Sequence, residues 1–297
     1  MLTSFLNLYA TVTLGAPGQE AMQTTPKIHQ PQISYEETLP VSMIPIKKQI
    51  AVEPIIEAQS AIIVDFDSGE ILWEKNANKK LQIASITKLM TIIVALEENN
   101  LNESVIVSNR AALTEGSKVW LYSGEKITLS SLLKASLIHS GNDAATAVAE
   151  HVGGDEQTFV EKMNAKAKEL KLFSTHFANP IGFDSLENYS TVRDLSQLAR
   201  YAYRKPFVRD AVRTKSTTIS SINGEQSHDL ESTNKLLGSF LKVLGLKTGH
   251  TQAAGLCFVS IIENDKGNKI ITVVLDSPAR FEETKMLATW AFRSYIW

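Results

Sequence analysis

The chain has 297 residues, of which 43% are hydrophobic and 21% are charged, and its formal net charge is -2. A nearly neutral chain without blocks of lysine or arginine gives no reason to expect nucleic-acid binding. Because it contains one cysteine and six scattered histidines, we expect neither an intramolecular disulfide nor a metal site, and we predict no cofactor.

The N-terminal part of the chain is not typical of a folded domain. Residues 1–16 are uncharged and contain an apolar stretch that resembles the core of an export signal, but no basic residues precede it. We therefore interpret it as a degraded or truncated signal, which is too short to span a bilayer. Residues 17–57 contain six of the nine prolines and are predicted to form an extended, poorly ordered linker. Residues 58–297 are predicted to form one folded domain.

The first half of this domain is predicted to begin with strands and continue with helices. Two β-prone runs, 61–66 and 71–73, flank a turn signal and predict a hairpin. The next segment is apolar on nearly every side and predicts a buried helix that opens at Ser85. Short strands and loops are expected over 101–125. The helices predicted next cover 128–137, 144–152, 156–170 and 191–203.

Polar residues mark the starts of two of these helices. Asn142 or Asp143 is expected to cap the helix at 144–152. The sequence from Thr191 to Asp194 resembles a capping box and predicts the start of the helix that follows it.

The second half of the domain returns to β structure. The Asn223-Gly224 turn predicts a hairpin. Three strands and a closing helix are then predicted, at 240–249, 256–263, 269–276 and 282–295. Sheet segments at both ends and helices in the middle predict an α+β protein, in which a sheet lobe assembled from distant parts of the chain meets a helical lobe.

Ser85 and Lys88 stand out because they are polar residues at the start of a helix that is otherwise apolar. Their spacing of three places both on one face. Taken alone, the pair is more typical of a helix cap and of a lysine whose charged end reaches solvent. The same S-x-x-K pattern also occurs at four other serines, namely Ser123, Ser131, Ser232 and Ser239. The pair therefore needs support from other parts of the chain.

Two further motifs supply that support. SGN at residues 140–142 lies in a tight loop between two predicted helices, and KTG at residues 247–249 lies at the end of a predicted strand. Each alone indicates only a helix start or a surface turn. A nucleophilic serine, however, needs a base, oxyanion donors and groups that hold the substrate. In this order and context the motifs form the S-x-x-K, S-x-N, K-T-G set of penicillin-binding proteins and serine β-lactamases.

Over residues 58–297 the chain resembles the low-molecular-mass penicillin-binding proteins of the D-alanyl-D-alanine carboxypeptidase family. The stretches that carry this resemblance are ASITKLM at 84–90, SGNDA at 140–144, NPIGFD at 179–184 and KTGHT at 247–251. The resemblance implies a β-lactamase/transpeptidase-like fold, in which an antiparallel sheet flanked by helices meets an all-helical lobe and the active site lies in the cleft between them.

The resemblance also implies an activity and a location. It implies a serine peptidase that hydrolyses the terminal D-Ala-D-Ala bond of peptidoglycan stem peptides through an acyl-enzyme and is inhibited by β-lactams. Such an enzyme acts in the bacterial cell envelope, outside the cytoplasmic membrane. We expect a monomer that contacts the membrane only through an N-terminal signal or anchor.

The family's functional residues map onto this sequence. Ser85 would be the nucleophile and Lys88 its base, with a pKa lowered by burial and by the charge of Lys247. Ser140 would relay a proton to the leaving amine, and Asn142 would bond the substrate amide. The remaining implied roles are substrate carboxylate binding by Lys247, Thr248 and Gly249, and an oxyanion hole formed by the backbone N–H groups of Ser85 and His250. Arg280 is expected either near the substrate carboxylate or in a surface salt bridge.

Three alternative functions are weighed against this interpretation. A class A β-lactamase needs a glutamate, usually within E-x-x-L-N after the middle motif, and the sequence contains no such string. Degenerate motifs would indicate a non-catalytic peptidoglycan-binding module, whereas the three motifs of this sequence are intact. A DD-endopeptidase of peptidoglycan cross-links stays open, because the sequence ends at Trp297 without the β domain and amphipathic tail that many carboxypeptidases of the family carry.

Overall fold

A computed structural model describes residues 44–49 and 52–297. The predicted signal and most of the predicted linker lie outside the described residues. The strands are β1 (Ile46–Lys47), β2 (Ser60–Asp65), β3 (Ile71–Lys75), β4 (Leu81–Gln82), β5 (Ser104–Ile106), β6 (Lys126–Thr128), β7 (Tyr189–Ser190), β8 (Ser216–Ser220), β9 (Ser227–Glu231), β10 (Lys242–Thr251), β11 (Gly255–Glu263), β12 (Lys269–Ser277) and β13 (Tyr295–Ile296). The α-helices are α1 (Lys88–Glu98), α2 (Asn109–Leu113), α3 (Leu129–Ile138), α4 (Asn142–Gly153), α5 (Glu156–Glu169), α6 (Val192–Arg204), α7 (Pro206–Val212) and α8 (Arg280–Ser294).

The main sheet joins the two ends of the folded part of the chain. Its strands lie in the order β10-β11-β12-β2-β3, and every neighbouring pair is antiparallel. Both predicted strand groups are thereby confirmed, including the hairpin of β2 and β3. Strand β10, which carries the KTG motif, is an edge strand of this sheet.

Both faces of the sheet are covered, so its central strands are buried on both sides. Successive residues of a strand point to opposite faces. Ile63 accordingly packs in a cluster with Leu287 of α8, whereas its neighbour Ile62 packs in the larger cluster with Leu195 and Leu198 of α6. This layering of helix, sheet and helix beside a helical lobe is the predicted α+β architecture.

Helix α1 lies at the centre of the helical lobe. It contacts α3, α4, α5 and α6, and every residue from Lys88 to Ala95 is buried. The prediction of a buried helix is therefore confirmed. The helix begins at Lys88, however, and Ser85 lies in a short 3-10 helix, Ala84–Thr87, immediately before it.

Of the two predicted helix caps, one is confirmed and one is wrong. Thr191 caps α6, because its side chain accepts a hydrogen bond from the Asp194 N–H at 3.1 Å, as predicted. The prediction that Asn142 or Asp143 caps α4 is wrong: Gly141 is the N-cap, and both residues lie in the first turn. The Asp143 carboxylate instead accepts hydrogen bonds from the backbone N–H groups of Val119 and Leu121.

Two short helices were not predicted. Helix α2 lies within the region expected to hold strands and loops, and α7 follows α6 after a break at Lys205. Pro206 occupies the first turn of α7, where its fixed φ and missing N–H fit a helix start. Pro206 is the sequence feature from which the start of α7 could have been predicted.

The segment before β2 contacts the C-terminal helix. Strand β1 pairs antiparallel with β13, and Trp290 Nε1 donates a hydrogen bond to the Val52 carbonyl. The buried Glu283 carboxylate accepts hydrogen bonds from the backbone N–H groups of Glu57 at 2.5 Å and Ala58 at 3.0 Å. Strand β1, Val52 and Glu57 belong to the predicted linker, whose prolines exclude long regular elements but permit such isolated contacts. Within the described ranges, no helix combines the length and hydrophobicity needed to cross a membrane.

We expect Glu283→Ala to lower the free energy of unfolding by roughly 2–3 kcal/mol, because the N–H groups of Glu57 and Ala58 and the Ser277 hydroxyl lose their acceptor. Urea denaturation followed by circular dichroism measures this loss. The control is Glu282→Ala, which removes an exposed carboxylate 3.8 Å from Lys285 and should cost less than about 0.5 kcal/mol. Equal effects of the two substitutions would contradict the assigned role of Glu283.

Candidate active site

The three sequence motifs meet where the start of α1 faces the edge strand β10. Lys88 and Lys247 are both buried, with 0% and 1% of their surface exposed. Ser140 lies in the tight loop between α3 and α4, and its Oγ accepts a hydrogen bond from Lys247 Nζ at 2.8 Å. The structure thus brings one residue of each motif to a common site.

The Lys88 amine is fixed by three oxygen atoms. Its Nζ lies 2.7 Å from Ser85 Oγ, 2.7 Å from Asn142 Oδ1 and 2.8 Å from the Ile181 carbonyl oxygen. An amide or carbonyl oxygen only accepts hydrogen bonds, so the last two bind two N–H groups of the amine. In the neutral amine the lone pair then faces Ser85 Oγ, which is the arrangement of a base beside a nucleophile.

The surroundings of Lys88 favour the neutral amine. Burial lowers the pKa of Lys88 well below its usual value, and the positive charge of Lys247 lowers it further, while Asp143 acts in the opposite direction. The interpretation of Lys88 as a lysine that reaches solvent is therefore wrong. Ser85 is not a helix cap either, since no side-chain capping hydrogen bond is made at this helix start.

Two glycines allow the backbone to close around Ser85. A Cβ atom on Gly182 would collide with the Ala84 carbonyl oxygen, and Gly182 also has a φ of +89°. A Cβ atom on Gly249 would lie 2.9 Å from the Ile83 carbonyl oxygen and 3.2 Å from the Ser85 nitrogen. Strand β10 can therefore approach the Ser85 backbone only because the third residue of KTG is glycine.

Two non-glycine residues at the site adopt left-handed backbone conformations. Ala84 has a φ of +48° and Ser140 a φ of +64°. Such residues are uncommon and concentrate at functional sites, where the surrounding structure compensates for the strain. Here they lie immediately before Ser85 and at the first residue of the SGN motif.

Lys247 is the second buried lysine of the site. Burial and the nearby Arg280 guanidinium lower the pKa of Lys247 to about 7. Its Nζ also donates to the Thr248 carbonyl at 2.9 Å. The Thr248 hydroxyl lies 2.6 Å from that of Thr233. This end of the site combines ammonium and hydroxyl groups, which suits the binding of a carboxylate.

Arg280 is half-buried at the start of α8, and with the residues that the structure describes it forms no salt bridge of the kind considered above. Its guanidinium donates to the Gly249 carbonyl at 2.6 Å and to the Cys257 carbonyl at 3.3 Å. Its Nε has no hydrogen-bond partner among the described residues. Arg280 therefore stabilises strands β10 and β11 through their carbonyl groups and adds positive charge near Lys247.

Asn142 is engaged within the protein through both ends of its amide. Its Oδ1 accepts from Lys88, and its Nδ2 donates to the Glu115 carbonyl at 2.6 Å. These partners fix the orientation of the amide. A role in positioning Lys88 is thus visible directly. His250 follows Gly249 and exposes its imidazole.

Sequence reasoning missed several residues that shape the site. Asn179 Oδ1 accepts hydrogen bonds from the N–H groups of Gly182 and Phe183, and this turn aims the Ile181 carbonyl at Lys88. The NPIGFD stretch was noticed only as a family resemblance and was given no role. No sequence pattern marked Thr233 as a site residue, because its contact with Thr248, 15 residues later in the chain, depends on tertiary packing.

The fold and the site together define a class of protein. A sheet whose edge strand carries KTG, beside a central helix that starts with a serine and a buried lysine, is the arrangement of penicillin-recognising serine enzymes. A family model described as D-alanyl-D-alanine carboxypeptidase matches residues 47–279. The chain therefore belongs to the D-alanyl-D-alanine carboxypeptidase family.

Individual relatives agree with this assignment. The chain is 36% identical over 249 residues to the D-alanyl-D-alanine carboxypeptidase DacF of Bacillus subtilis, which covers 80% of this chain and 63% of that protein. It is 33% identical to the Escherichia coli carboxypeptidase DacC, covering 84% of this chain and 64% of DacC. The chain thus spans slightly less than two thirds of these curated relatives. The crystal structure of the Streptomyces K15 DD-transpeptidase matches with a TM-score of 0.77 and 30% identity, covering 82% of this chain and 99% of that chain.

We expect the free energy of unfolding to rise between pH 7 and pH 10, and Lys247→Met to reduce this rise. A lysine in the unfolded chain has a pKa of about 10.4, whereas the pKa of Lys247 in the folded protein is about 7. In this interval the unfolded chain holds a proton that the folded protein has lost, so the slope should fall by up to about 1.4 kcal/mol per pH unit in the variant.

Urea denaturation at pH 7, 8, 9 and 10 measures this slope. The control is Lys242→Met, which replaces a lysine of the same strand whose side chain is 61% exposed. Identical slopes for the two variants would contradict a lowered pKa at Lys247.

Proposed function

We propose that the protein is a serine DD-peptidase that hydrolyses the terminal D-Ala-D-Ala bond of peptidoglycan stem peptides through an acyl-enzyme. The observation that carries the proposal is the buried Lys88 amine, which lies 2.7 Å from Ser85 Oγ while Asn142 Oδ1 and the Ile181 carbonyl accept hydrogen bonds from its two N–H groups. Family membership supplies the substrate class, and DacF and DacC carry the name of this activity.

In the proposed acylation step, Ser85 Oγ attacks the carbonyl carbon of the penultimate D-alanine while Lys88 takes its proton. At a pKa of about 10.4, holding a lysine neutral at pH 7 would cost roughly 4–5 kcal/mol. The burial of Lys88 and the charge of Lys247 reduce that cost, because both disfavour the ammonium form.

The negative charge that develops on the carbonyl oxygen needs hydrogen-bond donors. We assign this role to the backbone N–H groups of Ser85 and His250. The close approach of Gly249 to the Ser85 nitrogen supports this assignment, because it brings β10 against the serine backbone. One such donor typically contributes about 3–4 kcal/mol to the stabilisation of the transition state.

The leaving D-alanine needs a proton and a counterion for its carboxylate. Ser140 is suited to pass the proton, because its hydroxyl accepts a hydrogen bond from Lys247 and can donate its own hydrogen to the leaving amine. Lys247 and Thr248 would bind the carboxylate, with Arg280 adding charge from behind the strand. Asn142 would position Lys88 and face the substrate amide. Water then attacks the acyl-enzyme and gives its proton, through Ser140, to the deprotonated Lys247. Lys88 returns its proton to Ser85, so both lysines regain their starting protonation states.

β-Lactams are proposed inhibitors, because they would acylate the same serine. We further propose that the enzyme is a monomer that acts outside the cytoplasmic membrane, where peptidoglycan lies. The second candidate is a DD-endopeptidase that cuts peptide cross-links. The Streptomyces K15 protein, which this chain resembles over 99% of that structure, is named a DD-transpeptidase and shows that this fold is associated with more than one DD-peptidase reaction.

We expect the purified protein to gain the mass of one benzylpenicillin at Ser85, and Ser85→Ala to abolish this adduct. The reason is that only Ser85, among the five serines of the S-x-x-K strings, is hydrogen-bonded to a buried lysine in the described residues. Intact-protein mass spectrometry measures the adduct. Ser123→Ala, which alters another S-x-x-K string, should label like the unmodified protein. Labelling of Ser85→Ala would refute the proposal.

We expect a disaccharide pentapeptide to lose its terminal D-alanine when incubated with the enzyme, since the site combines a nucleophile with carboxylate-binding groups. Liquid chromatography with mass spectrometry identifies the products, with Ser85→Ala as the control. A cross-linked peptide dimer tested in parallel separates the two candidates. Splitting of the dimer with an intact pentapeptide would establish the endopeptidase instead.

A further inference from the structure

Two exposed aromatic rings lie on the loop between α2 and β6, whose backbone contacts the SGN motif. Trp120 and Tyr122 are 73% and 57% exposed, whereas Val119 and Leu121 are buried, with 4% of the surface of each exposed. This alternation turns the two rings to the outer side of the segment. Exposed large aromatic residues beside a candidate active site indicate a binding surface.

The loop is held in place rather than free. The N–H groups of Val119 and Leu121 donate to the Asp143 carboxylate at 3.1 and 3.2 Å. The Val119 carbonyl accepts from Nδ1 of the buried His228 at 3.0 Å. Both rings are therefore presented from a fixed backbone, so a ligand would not have to order the loop.

Trp120 is also held in a strained conformation. Its φ is +64°, in the left-handed region that bulky residues rarely adopt. The exposed ring gains little from burial to offset this strain. Lys118 Nζ lies 5.6 Å from the ring centroid and is the cation nearest to it among the described pairs. Strain without compensating packing is typical of a residue that is placed for function.

The same loop is joined to the catalytic groups. The Ser117 carbonyl accepts a hydrogen bond from the Asn142 backbone N–H at 2.7 Å. Trp120 follows three residues later, which is at most about 11 Å of extended chain. In a pentapeptide substrate, four residues separate the scissile bond from the sugar, and they span at most about 14 Å. The sugar end of the substrate can therefore reach this loop.

A cavity of about 540 Å³ lies beside Tyr122, between the turn before β6 and the turn of the β8–β9 hairpin. This volume lies within the range of small-molecule sites. Its lining is rich in hydroxyl, amide and charged groups, from residues that include Ser123, Lys126, Asn223, Glu225 and Gln226. Such groups suit the hydroxyl and acetamido groups of a sugar. The Tyr122 ring lines the cavity and suits the apolar face of the sugar, and Trp120 lies two residues before it on the same exposed side of the loop.

We propose that Trp120, Tyr122 and this cavity form a subsite for the N-acetylated amino-sugar disaccharide that carries the stem peptide. The proposal rests on the proposed DD-peptidase function and extends it from the peptide to the glycan. It predicts that the enzyme prefers stem peptides still attached to sugar, because the disaccharide adds contacts remote from the reacting bond.

The test compares two substrates, a disaccharide pentapeptide and the same pentapeptide N-acetylated and without sugar. We expect a higher kcat/KM for the disaccharide form. Trp120→Ala should reduce this preference about three- to tenfold, the loss expected for aromatic contacts, while leaving kcat/KM for the free peptide unchanged. Trp120→Phe should retain most of the preference. Phe173→Ala removes an aromatic residue that is 77% exposed on the turn after α5, and should leave it intact.

The alternative outcomes separate this proposal from the proposed function. Equal cleavage of both substrates by the unmodified enzyme would overturn the subsite, and so would an equal loss on both in Trp120→Ala, which would indicate contact with the peptide. If neither substrate is cleaved, the proposed function fails. In that case calorimetry with the free disaccharide and the Ser85→Ala protein decides: binding weakened by Trp120→Ala supports the subsite, and no binding overturns it.

Discussion

The structure depends on burying the amine of Lys88 beside Ser85 without leaving it charged. An ammonium in a water-free site is strongly disfavoured, so burial itself converts lysine from a cation into a base. Burial alone would also leave the N–H groups of the amine unpaired. Asn142 Oδ1 and the Ile181 carbonyl prevent this by accepting two hydrogen bonds, and the remaining position faces Ser85 Oγ. The apolar surroundings and the polar contacts thus serve the same chemical end.

This constraint explains features that otherwise look unrelated. Helix α1 is buried from Lys88 to Ala95 because it holds the amine in the middle of the helical lobe. Glycine is required at positions 182 and 249, because the turn after Ile181 and strand β10 both approach the backbone around Ser85 closely. A second buried lysine, Lys247, contributes positive charge that lowers the pKa of Lys88 further, and Arg280 lowers the pKa of Lys247 in the same way. Arg280, Lys247 and Lys88 thus form a series of basic side chains that leads from helix α8 to Ser85.

The loop between α2 and β6 joins this chemistry to the outer surface. Glu115 and Ser117 hold Asn142 through their carbonyl oxygens, while Asp143 holds the backbone of Val119 and Leu121. Two adjacent residues of the first turn of α4 thus have different partners. The Asn142 side chain accepts a hydrogen bond from Lys88, and the Asp143 carboxylate binds the loop that carries Trp120.

The sequence by itself determined the longer helices and strands, the α+β class and the residues of the three motifs, because hydrophobic period, turn residues and motif order are local properties of the chain. Local rules taken alone interpret Ser85 as a cap, Lys88 as a solvent-reaching lysine and Asn142 or Asp143 as a cap, and the structure contradicts each of these interpretations. Only the family resemblance predicted a nucleophile and its base. The roles of these four residues depend on partners such as Ile181, Glu115 and Val119, which are distant in sequence. Only the tertiary structure decides whether a serine caps a helix or faces a neutral amine, because burial and the position of acceptors set the charge of that amine.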